Sequence, residues 1–304
     1  MIRHGIAVWL RRTGAAGLLL SLSCGSPHPV RDLELAAAYP VECEGRYELS
    51  GLTLWRGRLF TVSDNIDDTI FEIQVESGSA RLMAHLRFSA PPLDDFDKLD
   101  FEGITCDPDG NFYIACERPC RVLKVARDTS RIEWITPSLR PAAVKAGLMR
   151  KRNSSLEGVV WIDPGILIVC CERNERGLIR VDPATRSIHP IEAEDSPLEI
   201  PEHRDPDFCG LWNDSGRLYA LVRSAHSLSE LGLEGQRVVE LESWSFAAIE
   251  NDPHYRYHDT TYGRAEGLCM DSSRIYVILD NNGDAREDDP ADRRPLLFVF
   301  KRPL

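Results

Sequence analysis

Three glutamates stand one residue before a glycine at recurring places: Glu102 in FEGI, Glu157 in LEGV and Glu266 in AEGL. Ser50 and Cys209 hold the same place before Gly51 and Gly210. A second set closes the apolar run that follows each glycine: Asp64, Glu117, Glu172, Arg223 and Asp280. Carboxylates gathered on one axis repel one another and lose solvation, so they need protonation, arginine partners or a metal ion. Oxygen donors suit calcium, which takes about six to eight of them. Magnesium and manganese are the alternatives, and zinc fits less well because the repeating positions hold no histidine. The expected metal ligands are Glu102, Glu157, Glu266, Asp64 and Asp280. The competing expectation is structural: the acids cap strands and pair with Arg118, Arg173 and Arg223.

Those three arginines and Arg264 suit a second task, because a guanidinium makes bidentate contacts with phosphate or carboxylate. With a cation they would hold an anionic ester while a water is activated. Glu117, Glu172 and His258 are the candidate acids and bases, with His254, Asp259 and Tyr262 in the same polar loop. No G-x-S-x-G elbow, H-E-x-x-H pair, C-x-x-C motif or glycine-rich phosphate loop is present. DNNGDAREDDP, from Asp280 to Pro290, resembles a calcium loop in composition but lacks EF-hand spacing.

The elements that must position these residues are short. Gly51, Gly103, Gly158, Gly210 and Gly267 are spaced by 52, 55, 52 and 57 residues. Around each glycine lie two apolar runs joined by a Gly, Asp or Ser turn, too short for typical helices. Third runs follow at Thr69–Val75, Arg121–Val125, Gly177–Val181 and Pro295–Phe300; fourth runs follow at Arg81–Phe88, Arg131–Ile135 and Arg237–Glu242. Four antiparallel strands per repeat make a propeller blade. The expected fold is all-β: a five-bladed β-propeller in which the N-terminal strand Leu33–Tyr39 closes the last blade. Six blades would require a further one from Arg237–Arg264. Pro137–Ser155, with one or two helical turns, and Glu250–Arg264 interrupt the rhythm as long loops on the face carrying the site.

The 304 residues are 43% hydrophobic with net charge −12, which disfavours nucleic acid as a partner. Residues 1–23 read as an export signal, with Arg3, Arg11 and Arg12 before a short apolar stretch. Its removal takes away three arginines and no acid, moving the net charge from −12 to −15. Ser23-Cys24 is the expected lipoprotein processing site, with Cys24 lipidated; an ordinary secretory cut is the alternative. Residues 24–32 form a tether and 33–304 a single propeller domain. The expected location is the periplasm, or the envelope through the lipid anchor. Cys116 and Cys120 are close enough in sequence to pair in an oxidising compartment. The other strand cysteines read as small buried hydrophobes.

FEGI, LEGV and AEGL, with ACER, CCER and LDNNGD after them, resemble the phytase-like propeller family, described by an esterase-like activity of phytase and bordering the SdiA-regulated periplasmic proteins. The resemblance spans roughly Glu42 to Phe300. It implies a propeller, export and often calcium. By it, Glu102, Glu157 and Glu266 match axial glutamates, and Asp64, Glu117, Glu172 and Asp280 match acidic strand ends. Ser50 and Cys209 depart from the pattern. The resulting expectation is an exported, calcium-assisted hydrolase of a small anionic ester or phosphoester. Its rivals are a noncatalytic envelope protein binding a ligand or partner on the same face, and a lactone hydrolase with one axial metal.

Overall fold

The computed structural model describes residues 29–303, apart from 152–153, 163, 174 and 259–263. The expected signal sequence, Cys24, Asp259 and Tyr262 lie outside the described residues. Strands β1 (Val30–Asp32) and β2 (Leu35–Glu42) come first. The first repeat is β3 (Leu49–Trp55), β4 (Arg58–Ser63), β5 (Ile66–Glu76) and β6 (Ser79–Arg87). The second is β7 (Phe101–Cys106), β8 (Phe112–Cys116), β9 (Arg121–Val125) and β10 (Ile132–Trp134). A short helix α1 (Arg140–Lys145) precedes the third: β11 (Leu156–Ile162), β12 (Ile166–Cys171), β13 (Gly177–Asp182) and β14 (Ser187–Glu192). The fourth is β15 (Leu211–Asp214), β16 (Arg217–Val222), β17 (Ser227–Glu234) and β18 (Arg237–Ser245). After α2 (Ala247–Glu250) come β19 (Ala265–Met270), β20 (Arg274–Leu279) and β21 (Leu296–Lys301).

Each repeat is an antiparallel meander, and the molecule is a β-propeller. β2 pairs with β21 and supplies the outer strand that the last repeat lacks, so the chain's two ends are joined within one sheet. Its tip runs parallel to β6 at Val41–Ala80 and Glu42–Arg81, which merges the first and last repeats into one eight-stranded sheet. Val30–Asp32, expected in the tether, instead adds a fifth strand to the fourth sheet by parallel pairing with β18. Its short polar segment needs only backbone partners there, and β18 offers an open edge.

Alternation along the strands sends successive side chains to opposite faces, and each sheet therefore feeds two apolar layers. Phe60, Val62 and Ile70 meet Ile104, Phe112 and Ile114 between the first two repeats. Leu49, Leu52 and Leu59 meet Ile278 and Leu297 between the last repeat and the first. Fully burying one such side chain contributes about 1.5–3 kcal/mol. Cys116 and Cys120 are free and buried, contrary to the expected pairing. Both thiols sit in these layers, the Cys120 sulfur lying 3.9 Å from that of Met149.

The anchoring glycines have one physical cause. β3, β7, β11, β15 and β19 contact one another in a closed cycle, and the glycines lie where their backbones come closest. A Cβ on Gly158 would sit 2.8 Å from the Leu211 nitrogen; one on Gly267 would sit 2.6 Å from the Gly51 carbonyl carbon. Gly51 also has φ +35°, a region L side chains rarely adopt. Gly158→Ala is expected to lower unfolding stability by about 1–3 kcal/mol through overpacking, read as a lower urea midpoint with the same slope.

Candidate functional site

The Glu-Gly step is a β-bulge. The register of β3, β7, β11 and β19 against the next strand shifts at Ser50/Leu52, Phe101/Gly103, Leu156/Val159 and Ala265/Gly267. A bulge re-aims the residue it displaces: Glu102 in β7, Glu266 in β19, Glu157 with Gly158 in β11, and Gly51 itself in β3, where Ser50 stays paired with Val62. The return strand is tied to the same end. The backbone N–H groups of Asp64, Glu117, Glu172 and Asp280 donate to the carbonyls of Glu48, Asp100, Ser155 and Arg264 at 2.8–3.1 Å. Both predicted acidic sets are thus brought to one end of the propeller.

That geometry exposes a third set, three residues before each glycine: Glu48, Asp100, Ser155, Asp207 and Arg264. Of this set the sequence reading singled out Arg264 alone, as a substrate-binding arginine, because these residues precede the strands and differ in type. Aligning the repeats on their glycines and reading leftward would have found it. Ser50 and Cys209 are latches between repeats: the Ser50 hydroxyl donates to the Phe101 carbonyl and the Cys209 thiol to the Ala265 carbonyl.

The acids divide into two electrostatic halves. In one, Arg223 donates from Nη2 to Glu172 at 2.8 Å, from Nε to Asp207 at 3.1 Å and from Nη1 to Glu266. Asp207 also accepts the Ser224 N–H and hydroxyl, each at 2.9 Å. Arg173 adds a second contact to Glu172, 2.8 Å from Nη1. Glu157 is buried nearby; desolvation and the charges of Glu172 and Glu102 push its pKa well above the carboxylate range, while Arg223 opposes them. Glu266, despite Arg223, is pushed up to about 7 by burial and by Asp280 and Glu172.

In the other half the acids outnumber their cations. Carboxylate oxygens of Asp64, Asp100 and Glu102 lie within 4.8 Å of one another. Burial, the neighbouring Glu48 and Asp280 push Asp64 up to about 8. Its Oδ1 is buried without a hydrogen-bond partner. Glu102 is driven well above its usual range by burial, then by Glu266, Asp64, Glu117 and Asp100. Burial and Asp100 push Glu117 up to about 7. Asp280 rises to about 6, chiefly by burial. Burial also opposes ionisation of Asp100, but Lys98 at 2.7 Å and Arg118 at 2.8 Å hold its pKa below the usual range.

Of the expected metal ligands, Asp64 and Glu102 fall in this close group, and Asp100 joins them. Asp280 lies electrostatically beside Asp64, and Glu157 and Glu266 lie on the Arg223 side. Arg118 is exposed and Arg173 partly so, while Arg264 is buried 3.7 Å from Asp284. His258 is exposed, with its backbone N–H on the Ala285 carbonyl at 3.0 Å.

Asp100 has φ 61°, uncommon for a residue with a side chain. Asp67 holds it there, accepting the Leu99 and Asp100 N–H groups at 2.7 and 3.1 Å. Asp67→Ala is therefore expected to weaken divalent-cation binding about 10–100-fold, the usual effect of losing a group that orients a ligand, while Gly158→Ala leaves binding intact.

A family model described as phytase-like, esterase-like activity of phytase, matches residues 47–198, half of the chain. No curated protein matches the sequence. The fold is similar to that of glutaminyl cyclase from Myxococcus xanthus, with TM-score 0.58 and 11% identity over 91% of this chain and 100% of that one. It is also similar to PQQ-bound aldose sugar dehydrogenase from Streptomyces coelicolor, with TM-score 0.52 and 11% identity over 90% of this chain and 100% of that one. At these identities the likeness is one of fold.

Proposed function

The chain belongs to the phytase-like family, and from that premise we propose that it is a five-bladed propeller hydrolase of anionic esters, phosphate esters included, that works with a divalent cation. The observation that carries the reading is the close group of Asp64, Asp100 and Glu102. Its donors fit a hard cation: all are carboxylate oxygens, and the orphaned Asp64 Oδ1 has no protein hydrogen to accept. These three residues would hold the ion, and calcium is the first candidate because the donor set is oxygen alone. When bound, such an ion polarises a carbonyl or phosphoryl oxygen and makes water more acidic.

The remaining work falls to the chain's own residues. Glu117, poised near neutral pH beside Asp100, is the group best placed to take a proton from water. Arg118 and Arg173 each spend part of a five-donor guanidinium on Asp100 and Glu172 and keep other N–H groups for an anionic substrate. Arg223 is the internal counter-charge, holding Glu172, Asp207 and Glu266 in place. Export, with Cys24 lipidated, belongs to the same proposal; labelling with a radioactive fatty acid tests it, and no incorporation removes the anchor.

A second reading, a lactone hydrolase with one axial metal, is favoured by the presence of one close acidic group among the described residues. The deciding experiment is a panel of p-nitrophenyl phosphate, a carboxylester and a lactone, run on purified full chain. Turnover lost on chelation and restored by calcium supports the hydrolase, and the preferred substrate selects between the two readings. Tight capture of a partner without turnover on any of the three would favour a noncatalytic binding propeller.

A further inference from the structure

A groove of about 630 Å3 lies beside the fourth sheet, and none of Asp64, Asp100 and Glu102 lines it. Val30, Leu198 and Ile200 give it apolar walls, and the exposed Glu199 and Glu202 give it an acidic edge. No lysine or arginine lines it among the described residues. One further lining residue, His226, is placed with care. It sits in the left-handed region, φ 47° and ψ 48°, after the 3-10 turn Arg223–Ala225. Its N–H donates to the Arg223 carbonyl at 3.0 Å, and its own carbonyl accepts the Phe246 N–H at 2.9 Å. A side-chain residue held there marks a position the surroundings enforce.

The imidazole is oriented as well. Nδ1 lies 2.8 Å from Oε2 of Glu250, which is buried, and Oε1 of Glu250 accepts the Arg264 N–H at 2.7 Å. A carboxylate only accepts, so Nδ1 carries a hydrogen, and in the neutral ring Nε2 is the acceptor. Whatever meets Nε2 must donate. The acidic edge and the absence of basic lining select a positive donor over an anionic one.

We propose that this groove is a second binding site, for a small ligand with an apolar body and an amine head. The ammonium donates to His226 Nε2, Glu199 and Glu202 attract it, and the apolar walls cover the body. The proposal is independent of the hydrolase, whose anionic substrate this groove would repel.

The test is a titration of the full chain with benzylamine, with benzoate as its anionic counterpart, following imidazole nitrogen signals by NMR. Benzylamine is expected to bind at least about tenfold more tightly than benzoate. Glu250→Gln is the informative variant, because its carbonyl must still accept the Arg264 N–H. Its amide hydrogens then face Nδ1, and the ring proton moves to Nε2. The expected result is an exchange of the two ring nitrogen signals and loss of the benzylamine preference by at least about tenfold. The double change Glu199→Gln and Glu202→Gln, both exposed, is expected to weaken benzylamine and spare the ring signals. Equal affinity for the two probes, no binding of either, or a Glu250→Gln protein that keeps the amine preference would overturn the proposal. Cation titrations at Asp64, Asp100 and Glu102 would be unaffected by any of these outcomes.

Discussion

Arg223→Met is expected to destabilise the fold by about 3–5 kcal/mol at pH 7, the usual effect of stranding buried charge by removing its partner. For a chain of this size that is a fall in Tm on the order of 10 °C. The guanidinium is the shared partner of Glu172, Asp207 and Glu266, and its charge also offsets buried Glu157. Without it, four acids from three different repeats face one another in a desolvated space. Arg223→Lys should recover only part of the loss, because one ammonium cannot reproduce the planar fork that reaches three carboxylates. Urea denaturation checks both variants, and a methionine variant within about 1 kcal/mol of the parent would show that Arg223 is not the counter-charge described. Lowering the pH should narrow the difference, since protonation removes the repulsion the arginine had offset.

The second large effect concerns pH and the acids around Asp64. Their folded pKa values are raised, to about 8 for Asp64 and about 7 for Glu117. The native state therefore holds protons that the unfolded chain has released above about pH 4. Stability from these groups is full below that pH and is lost as pH rises through about 7–8. Chelator-treated protein should accordingly lose at least about 5 °C in Tm between pH 5 and pH 8. Calcium should restore most of it at pH 8, because a cation favours the ionised carboxylates. The double variant Asp64→Asn, Glu102→Gln should show a flatter profile and no calcium response. A chelated parent protein as stable at pH 8 as at pH 5 would contradict the description of the uncompensated half.

Much of this architecture was legible in the chain. The glycine spacing gave the repeats, because a side chain at these positions would collide with the backbone of the neighbouring inner strand. The third strands expected at Arg121–Val125 and Gly177–Val181 fall on β9 and β13. The apolar segment near residue 35 does supply the outer strand of the last repeat. The two acidic sets were legible because they flank apolar runs at fixed distances.

What was not legible depends on folding rather than periodicity. Glu48, Asp100 and Asp207 lie in connections, where no apolar alternation marks them, and their side chains meet the axial acids only after the bulges turn the chain. The strand β17 was missed because SLSELGLE reads as polar, although Ser227 and Ser229 are buried, Ser229 donating to Glu240 and Ser227 to the Ala225 carbonyl. His226 and Glu250 are 24 residues apart and meet only where the turn after β16 faces α2. The division into an arginine-filled half and an uncompensated half was also invisible, since Arg223, Glu117 and Glu172 occupy equivalent positions in the repeats.

The most direct test of the account is calorimetric titration of calcium, then magnesium and manganese, into chelator-treated full chain at pH 7.5, alongside the Asp64→Asn, Glu102→Gln variant. The account predicts a saturable divalent-cation site in the parent protein and at least about a 100-fold loss of affinity in the variant. No saturable binding by the parent, or equal affinity in both proteins, would contradict it.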